Sequence, residues 1–300
     1  MSLTVIVEFI VNTLSLGSLY ALLSLGLVFV FGIMQLVNFA YGEYIMISAY
    51  VLYALGVFTD LPWPVVFVAA IAAGAVMGFG SEVIAFRPFR GRSLDALLVT
   101  SFALSVILQD TVQLSISPRS KAPPFPGFFN RNVTLFGIVT PLRSYLMIAT
   151  TAVLLIGLSL LMRRTVLGIA MRGASENFTT ARLMGVPANL VISAAFVISG
   201  LLSGIVAIFW TARSGAVEPL MGSAPLLIGF IAVVIGGMHS LVGAVVGGFA
   251  YAAIANVLSL TLPTTLLSFR DAFMFVIVIL FLVLRPEGLI RGSYAEERVG

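Results

Sequence analysis

Apolar residues run along this chain in blocks long enough to cross a bilayer, and the breaks between blocks are short and rich in proline, glycine and charge. A crossing helix needs about 20 mostly apolar residues, because backbone groups inside hydrocarbon have no water to bond and must pair within their own segment. The pattern predicts nine such spans, at 7–31, 41–59, 63–83, 94–114, 142–162, 190–210, 223–239, 242–260 and 267–284. Two stretches are irregular. Residues 31–43 read either as a clean span end or as a dip into the bilayer, and 223–260 as one long hairpin or as a hairpin with a re-entrant piece. The fold class that follows is an all-α polytopic membrane protein, a bundle of about eight to nine transmembrane helices forming a single domain over 1–300.

One polar break is unlike the others. Residues 163–189, RRTVLGIAMRGASENFTTARLMGVPAN, hold four arginines, one glutamate and a Gly-Val-Pro turn, too polar a set to lie in lipid. Within it, Ala174-Ser175-Glu176 is expected to open a helix that Thr179-Thr180-Ala181 continues, with Gly185 and Pro187 closing the turn. Such a short, stiff handle, with small residues on one face, suits seating in a groove of a soluble partner. The plainer reading is an amphipathic helix lying on the membrane surface. The other long break, 115–141, carries five prolines (118, 123, 124, 126 and 141), which predict a stiff, partly polyproline-like, non-helical connection. It reads equally as a docking face for an external partner and as a rigid connector. Three GxxxG pairs, Gly74/Gly78, Gly200/Gly204 and Gly243/Gly247, predict close helix crossings.

Charge sets the orientation. With 163–189 in the cytoplasm, that side collects Arg87, Arg90, Arg92, Arg163, Arg164, Arg172, Arg182, Arg285, Arg291 and Arg298. The other side receives Arg119, Lys121, Arg131, Arg143, Arg213 and Arg270, so the count agrees with the positive-inside bias. An odd number of spans then puts the N-terminus outside and the C-terminus in the cytoplasm. The first span has no Lys or Arg before it, unlike a secretory signal peptide, and reads as a retained helix.

Composition narrows the chemistry. The chain is 60% apolar and 9% charged, against roughly 25% charged in soluble domains. With no cysteine there is no disulfide and no thiolate site; with His239 the only histidine there is no histidine pair for a metal. Lys121 is the only lysine and does not stand in a GxxxxGK[ST] loop, so any ATP that drives this protein is bound by another chain. A net charge of +4, carried by arginines beside the spans, argues against nucleic acid as a partner.

Few polar residues sit where chemistry could use them. In NFAYGEY, Asn38 suits a helix N-cap and Glu43 the early turns, where the helix dipole favours an anion. Alternatively Asn38, Tyr41 and Glu43 line a polar path, since ionisable groups at membrane depth are expensive and usually functional. RSGAVEPLMG, Arg213 to Gly222, pairs Arg213 with Glu218 and reads as an outside loop in preference to the mouth of a path. Glu82, Asp95, Asp110 and Asp271 lie near span ends, where charges meet water or headgroups, and His239 reads as a turn residue in preference to a proton relay.

At these residues the chain closely resembles the branched-chain amino acid ABC transporter permeases, the shorter of the two permease types in that system. The resemblance runs nearly end to end. It is carried by LGSLYALLSLGLVFVFGIMQLVNFAYGEYIMISAY (16–50), RGASENFTTARLMGVPANLVISAAFVISGLLSGIVA (172–207), GFIAVVIGGMHSLVGAVVGG (229–248) and FRDAFMFVIVILFLVLRPEGLIRG (269–292). ABC permeases carry a cytoplasmic EAA-x3-G coupling loop, and here Thr179-Thr180-Ala181-x3-Gly185 keeps the spacing without the leading Glu-Ala. Where the family often has NFAHGE, this chain has Tyr41 in place of the histidine, so a role needing an imidazole is not available there. The resemblance implies a bacterial inner-membrane importer with a second, related permease subunit, two cytoplasmic ATP-binding subunits and a periplasmic substrate-binding protein. It implies no cofactor on this chain, coupling to the ATPases through the 172–187 handle, which holds Arg172, Glu176, Ala181 and Gly185, and a substrate path at the interface of the two permeases, for which the cluster Asn38, Tyr41, Gly42 and Glu43 is the candidate lining. Branched-chain amino acids are the expected substrate; related systems move other amino acids, urea, short amides and aromatic acids. An ion-coupled secondary transporter would share the hydropathy but has only Glu43 as a mid-membrane carboxylate, and a membrane hydrolase lacks a nucleophile beside a base.

Overall fold

The computed structural model describes residues 3–135, 138–176, 178–238, 240–286 and 288–290. Among them are eleven α-helices: α1 (Leu3–Met34), α2 (Tyr41–Phe58), α3 (Trp63–Ser81), α4 (Leu94–Ser115), α5 (Leu142–Arg164), α6 (Val166–Glu176), α7 (Phe178–Leu183), α8 (Ala188–Ser214), α9 (Ser223–Gly236), α10 (Leu241–Thr261) and α11 (Arg270–Leu284). Eight helical segments are long and apolar enough to cross a membrane, the last running from Thr264 through a 3-10 turn into α11. The protein is an all-α polytopic membrane protein, and the span starts read from the sequence lie within a few residues of the helix starts.

The remaining predicted span is shorter than expected. α9 has 14 residues, about 21 Å at 1.5 Å per residue, against about 30 Å of hydrocarbon. The described residues divide into two compact units, one of Met1–Val28, Gly127–Thr151 and Ile228–Gly300, the other of Phe29–Pro126 and Ala152–Leu227.

In the second unit, α3 and α8 approach backbone to backbone. A Cβ on Gly74 would meet the Gly200 carbonyl and, at 2.9 Å, the Ser203 hydroxyl; one on Gly78 would meet the Phe196 carbonyl; and one on Gly204 would lie 2.6 Å from Ile71 Cα. The two GxxxG pairs therefore face each other, and lipid, which offers no hydrophobic drive between helices, leaves this close fit to hold them. α2 completes the packing, with the Ser48 hydroxyl 2.9 Å from the same Gly74 position.

In the first unit, α1 and α10 pack through Gly248 against Ala21 and Gly17 against the Phe249 ring. Tyr20 and Tyr251 meet edge-on at 5.3 Å, and Ser24 donates to the Ala244 carbonyl at 2.7 Å. Gly243 and Gly247, the third GxxxG pair, lie against Gly236 and Ala232 of α9. Val233 O takes Gly237 N–H at 2.9 Å, but the final carbonyls of α9 have no helical partners. Chain returning after α11 supplies them: Leu289 N–H donates to Ile235 O at 2.8 Å and Ile290 N–H to Gly236 O at 3.1 Å.

Four sequence expectations change. The polar handle does not open a helix at Ala174: α6 begins at Val166 and Ala174 lies near its end. Its start is set by Thr165, whose hydroxyl accepts from Gly168 N–H at 3.0 Å. The 115–141 connection, expected to be non-helical, contains one 3-10 turn at Gly127–Asn130, followed by Asn132–Leu135 (β1) and Ile138–Pro141 (β2) in an antiparallel hairpin with Asn132 opposite Pro141. Arg213 and Glu218 are both exposed, and the ion pairs among the described residues do not join them. Glu82 does not meet water; it is fully buried. His239 lies outside the described residues.

Candidate functional site

The segment between α1 and α2 is a buried turn. α1 ends at Met34, and Gln35 takes a left-handed conformation (φ 56°) that swings the chain off the helix axis. Asn38 is not itself the cap of α2, which falls on Ala40. Its side-chain oxygen instead accepts from Ala40 N–H at 3.0 Å, while its amide donates to the Tyr44 hydroxyl at 3.0 Å. That local turn aims α2 and buries Asn38.

Gly42 follows in the first turn of α2. A Cβ there would strike the Gly222 carbonyl, and one on Gly222 would strike that of Gly42, so two backbones touch where only hydrogen fits. Glu43 is 1% exposed. Its Oε1 accepts from Ser105 Oγ at 3.0 Å and from Gln109 Nε2 at 2.7 Å, both on α4. Ser105 stands eleven residues from Leu94 and ten from Ser115, so it lies about 15–16 Å from either end of that span. The carboxyl is thus held at mid-span depth. Glu43 Oε2 and the Tyr41 hydroxyl are buried without a hydrogen-bond partner, although buried polar atoms nearly always find one.

The second cluster lies where α3 runs out. Residues 82–86 form a π turn, in which Arg87 N–H bonds Glu82 O; the widened turn stacks positions five apart. Arg87 donates to both Glu82 oxygens, at 3.2 and 3.0 Å, and Arg90 pairs with Oε1. Ser193 of α8 donates to Oε2 at 2.8 Å, and Arg90 also donates to Asn189, the second residue of α8. Burial pushes the Arg90 guanidinium down from its ordinary value, and Glu82 opposes the shift. Beside the cluster is a cavity of about 920 Å³ whose walls include Met34, Gln35, Arg90, Leu94, Arg182 and Pro187. The end of α1, the start of α4 and the end of the handle therefore converge on one face of this unit.

The handle consists of α6, α7 and the turn after them. Arg172 and Glu176 are exposed on α6, while Gly168, Met171 and Ala174 face inward. Ala181 is 8% exposed. Its carbonyl accepts from Val186 N–H at 3.0 Å, and Arg182 O accepts from Gly185 N–H at 3.1 Å, with Gly185 at φ +86°. This is a Schellman stop. The Ala181-x3-Gly185 spacing is the distance from the carbonyl that accepts the Val186 N–H to the left-handed glycine. Leu183 and Met184, which the sequence reading did not single out, project from the turn at 84% and 82% exposure.

On the unit's opposite face the proline-rich segment is pinned. Lys121 and Val217 exchange two backbone hydrogen bonds at 2.9 and 2.8 Å, Lys121 Nζ lies 5.5 Å over the Tyr53 ring, and Trp63 stacks on Phe125 at 6.0 Å.

The structure brings Asn38, Tyr41, Gly42 and Glu43 into one buried group and Arg172, Glu176, Ala181 and Gly185 into one handle. It adds Ser105, Gln109 and Gly222 to the first and Glu82, Arg87, Arg90 and Asn189 to the neighbourhood of the second. A sequence signal existed only for Glu82, in two arginines spaced five and eight residues after it.

Comparison with known proteins gives consistent matches. A family model described as "Branched-chain amino acid transport system / permease component" matches residues 9–284. The chain is 31% identical over 292 residues to the high-affinity branched-chain amino acid transport system permease protein BraD of Pseudomonas aeruginosa, covering 94% of each chain. It is 30% identical to LivH of Escherichia coli K12, the permease protein of a system of the same description, covering 93% of each. More distantly, it is 27% identical to the E. coli permease protein LivM, over 93% of this chain and 69% of that one.

Proposed function

Since this chain belongs to the family of branched-chain amino acid transport system permease components, we propose that it is the membrane-spanning permease of an ATP-driven importer of branched-chain amino acids in the bacterial inner membrane. It works beside a second, related permease, a role for which the likeness to both LivH and LivM gives support. Two cytoplasmic subunits bind and hydrolyse ATP, a periplasmic protein delivers substrate, and this chain holds no cofactor. The C-terminus lies in the cytoplasm, with the 163–189 handle.

The observation that carries this reading is the handle: a helix stopped at Gly185 in a left-handed turn, with Leu183 and Met184 exposed at its tip beside the converging span ends. Large apolar side chains at a protruding turn are what a partner's groove takes up. Arg172 and Glu176 flank that seat, and Ala181 and Gly185 shape it. ATP-driven closure of the partner subunits then biases the permease between inward- and outward-open states, which differential partner binding must do if access is to alternate. Asn38, Tyr41, Gly42 and Glu43 form part of the substrate path, where the free carboxylate oxygen of Glu43 suits an ammonium group.

Affinity purification of the chain from its host in mild detergent tests the assembly. Recovery with a related permease and two ATP-binding chains is expected, and titrating the associated binding protein with leucine, isoleucine and valine identifies the substrate. Uptake by the chain alone, driven by an ion gradient through Glu43, would overturn the proposal.

A further inference from the structure

We infer that Glu82 is the residue that carries displacement of the handle into α3 and α4. It is a positioning residue, distinct from the coupling turn and from the path, and the inference rests on the handle being where force enters. Glu82 is the only point at which three elements are tied by one buried side chain among the clusters described above: it belongs to the π turn closing α3, it holds Arg87 and Arg90 of the turn leading to α4, and it accepts from Ser193 of α8. Arg90 extends the tie to Asn189. Only Ala188 separates Asn189 from Pro187, which closes the handle turn. A shift of that turn therefore moves Asn189 and, through Arg90 and Glu82, the base of α3.

The chemistry favours a rigid joint over a loose contact. A fully buried carboxylate satisfied by two guanidinium groups and a hydroxyl cannot release one partner cheaply, because the charge left behind has no water to turn to. The ring of Phe86, in the same π turn, packs on Phe196 of α8 at 4.9 Å, so the joint is braced by apolar contact one turn away. The downstream path is continuous. α3 meets α8 through Gly74, Gly78 and Gly200, and α2, which bears Glu43, lies against Gly74.

The test uses the chain reconstituted with its companion subunits and binding protein in proteoliposomes, reading substrate transported per ATP hydrolysed. Asn189 is exposed, so Asn189→Ala leaves folding undisturbed. It should lower the transport-to-hydrolysis ratio severalfold, and Glu82→Gln should lower it about tenfold, with complex recovery and basal hydrolysis near wild type. Asn189→Asp, which still accepts from Arg90, should restore the ratio. If Glu82→Gln fails to assemble, the two Asn189 variants decide the matter. An unchanged ratio in Asn189→Ala, or equal loss in Asn189→Ala and Asn189→Asp, would overturn the inference while leaving the importer reading intact. Transport by the wild-type complex without ATP would instead overturn the reading beneath it.

Discussion

At the scale of the residue, the two buried glutamates do different work in different surroundings. Glu43 is met by neutral donors, Ser105 and Gln109, and keeps one oxygen free; Glu82 is saturated by arginines. Glu43→Gln keeps an oxygen that accepts from both donors but removes the charge. It should insert and assemble normally while cutting uptake at least about tenfold, the loss expected for a hydrogen bond to a charged group worth about 1.5–3 kcal/mol. Wild-type uptake by Glu43→Gln would reduce Glu43 to a structural role. Gly185 offers a second residue-level test. Asparagine tolerates its left-handed backbone and valine does not, at about 1–2 kcal/mol, so Gly185→Val should lose ATPase subunits on purification while Gly185→Asn retains them. Equal retention would show that the turn geometry is unimportant for docking. Sequence alone could place Glu43 under suspicion because it stands out in an apolar field. For Glu82 the one hint was the pair of arginines five and eight residues on; its burial shows only once Ser193, 111 residues away, folds against it and Asn189 meets Arg90.

At the scale of the element, glycine spacing was informative and polar segments were not. The sequence shows three GxxxG pairs without saying which helices they join; the structure sets two of them against each other along α3 and α8. Gly200→Leu should lower the thermal midpoint of the detergent-solubilised chain, since overpacking costs about 1–3 kcal/mol of stability. Gly80→Ala, where an added methyl meets nothing, should leave it unchanged or slightly raised. Equal effects at the two positions would argue that α3 and α8 do not touch in the membrane. The long helices were readable because burial in lipid demands one simple pattern for about 20 residues. α6, α7 and the β1–β2 hairpin obey no such rule, being short and set by local hydrogen bonds such as the Thr165 cap. α9 misled in the opposite sense: apolar character continues past Gly236, where the helix stops.

For the whole molecule, the question is parity. Within one unit, Lys121, Phe125 and Val217 gather at one end, and Arg90, Leu94 and Pro187 at the other. The charge bias assigns the first end to the outside and the second to the cytoplasm. The native chain has no cysteine, so single replacements report topology cleanly. With an impermeant thiol reagent on intact spheroplasts, Asp60→Cys and Arg119→Cys should label, and Arg92→Cys and Met184→Cys should not. A reversed pattern would sink the orientation. Thr264→Cys should label from outside only if α9, together with the non-helical 215–222 before it, completes a crossing that α9 is too short to make alone.

The cap on α9 has a consequence for biogenesis. Its final carbonyls are synthesised well before Leu289 and Ile290, and α10 and α11 must both emerge from the ribosome in between. Until then those carbonyls must find water or a transient partner at the insertion machinery, since lipid offers none. Assembly of this part of the chain is therefore completed late. A chain truncated after α11 but short of residue 289 should leave the α9 end protease-accessible, and one extended past residue 290 should protect it.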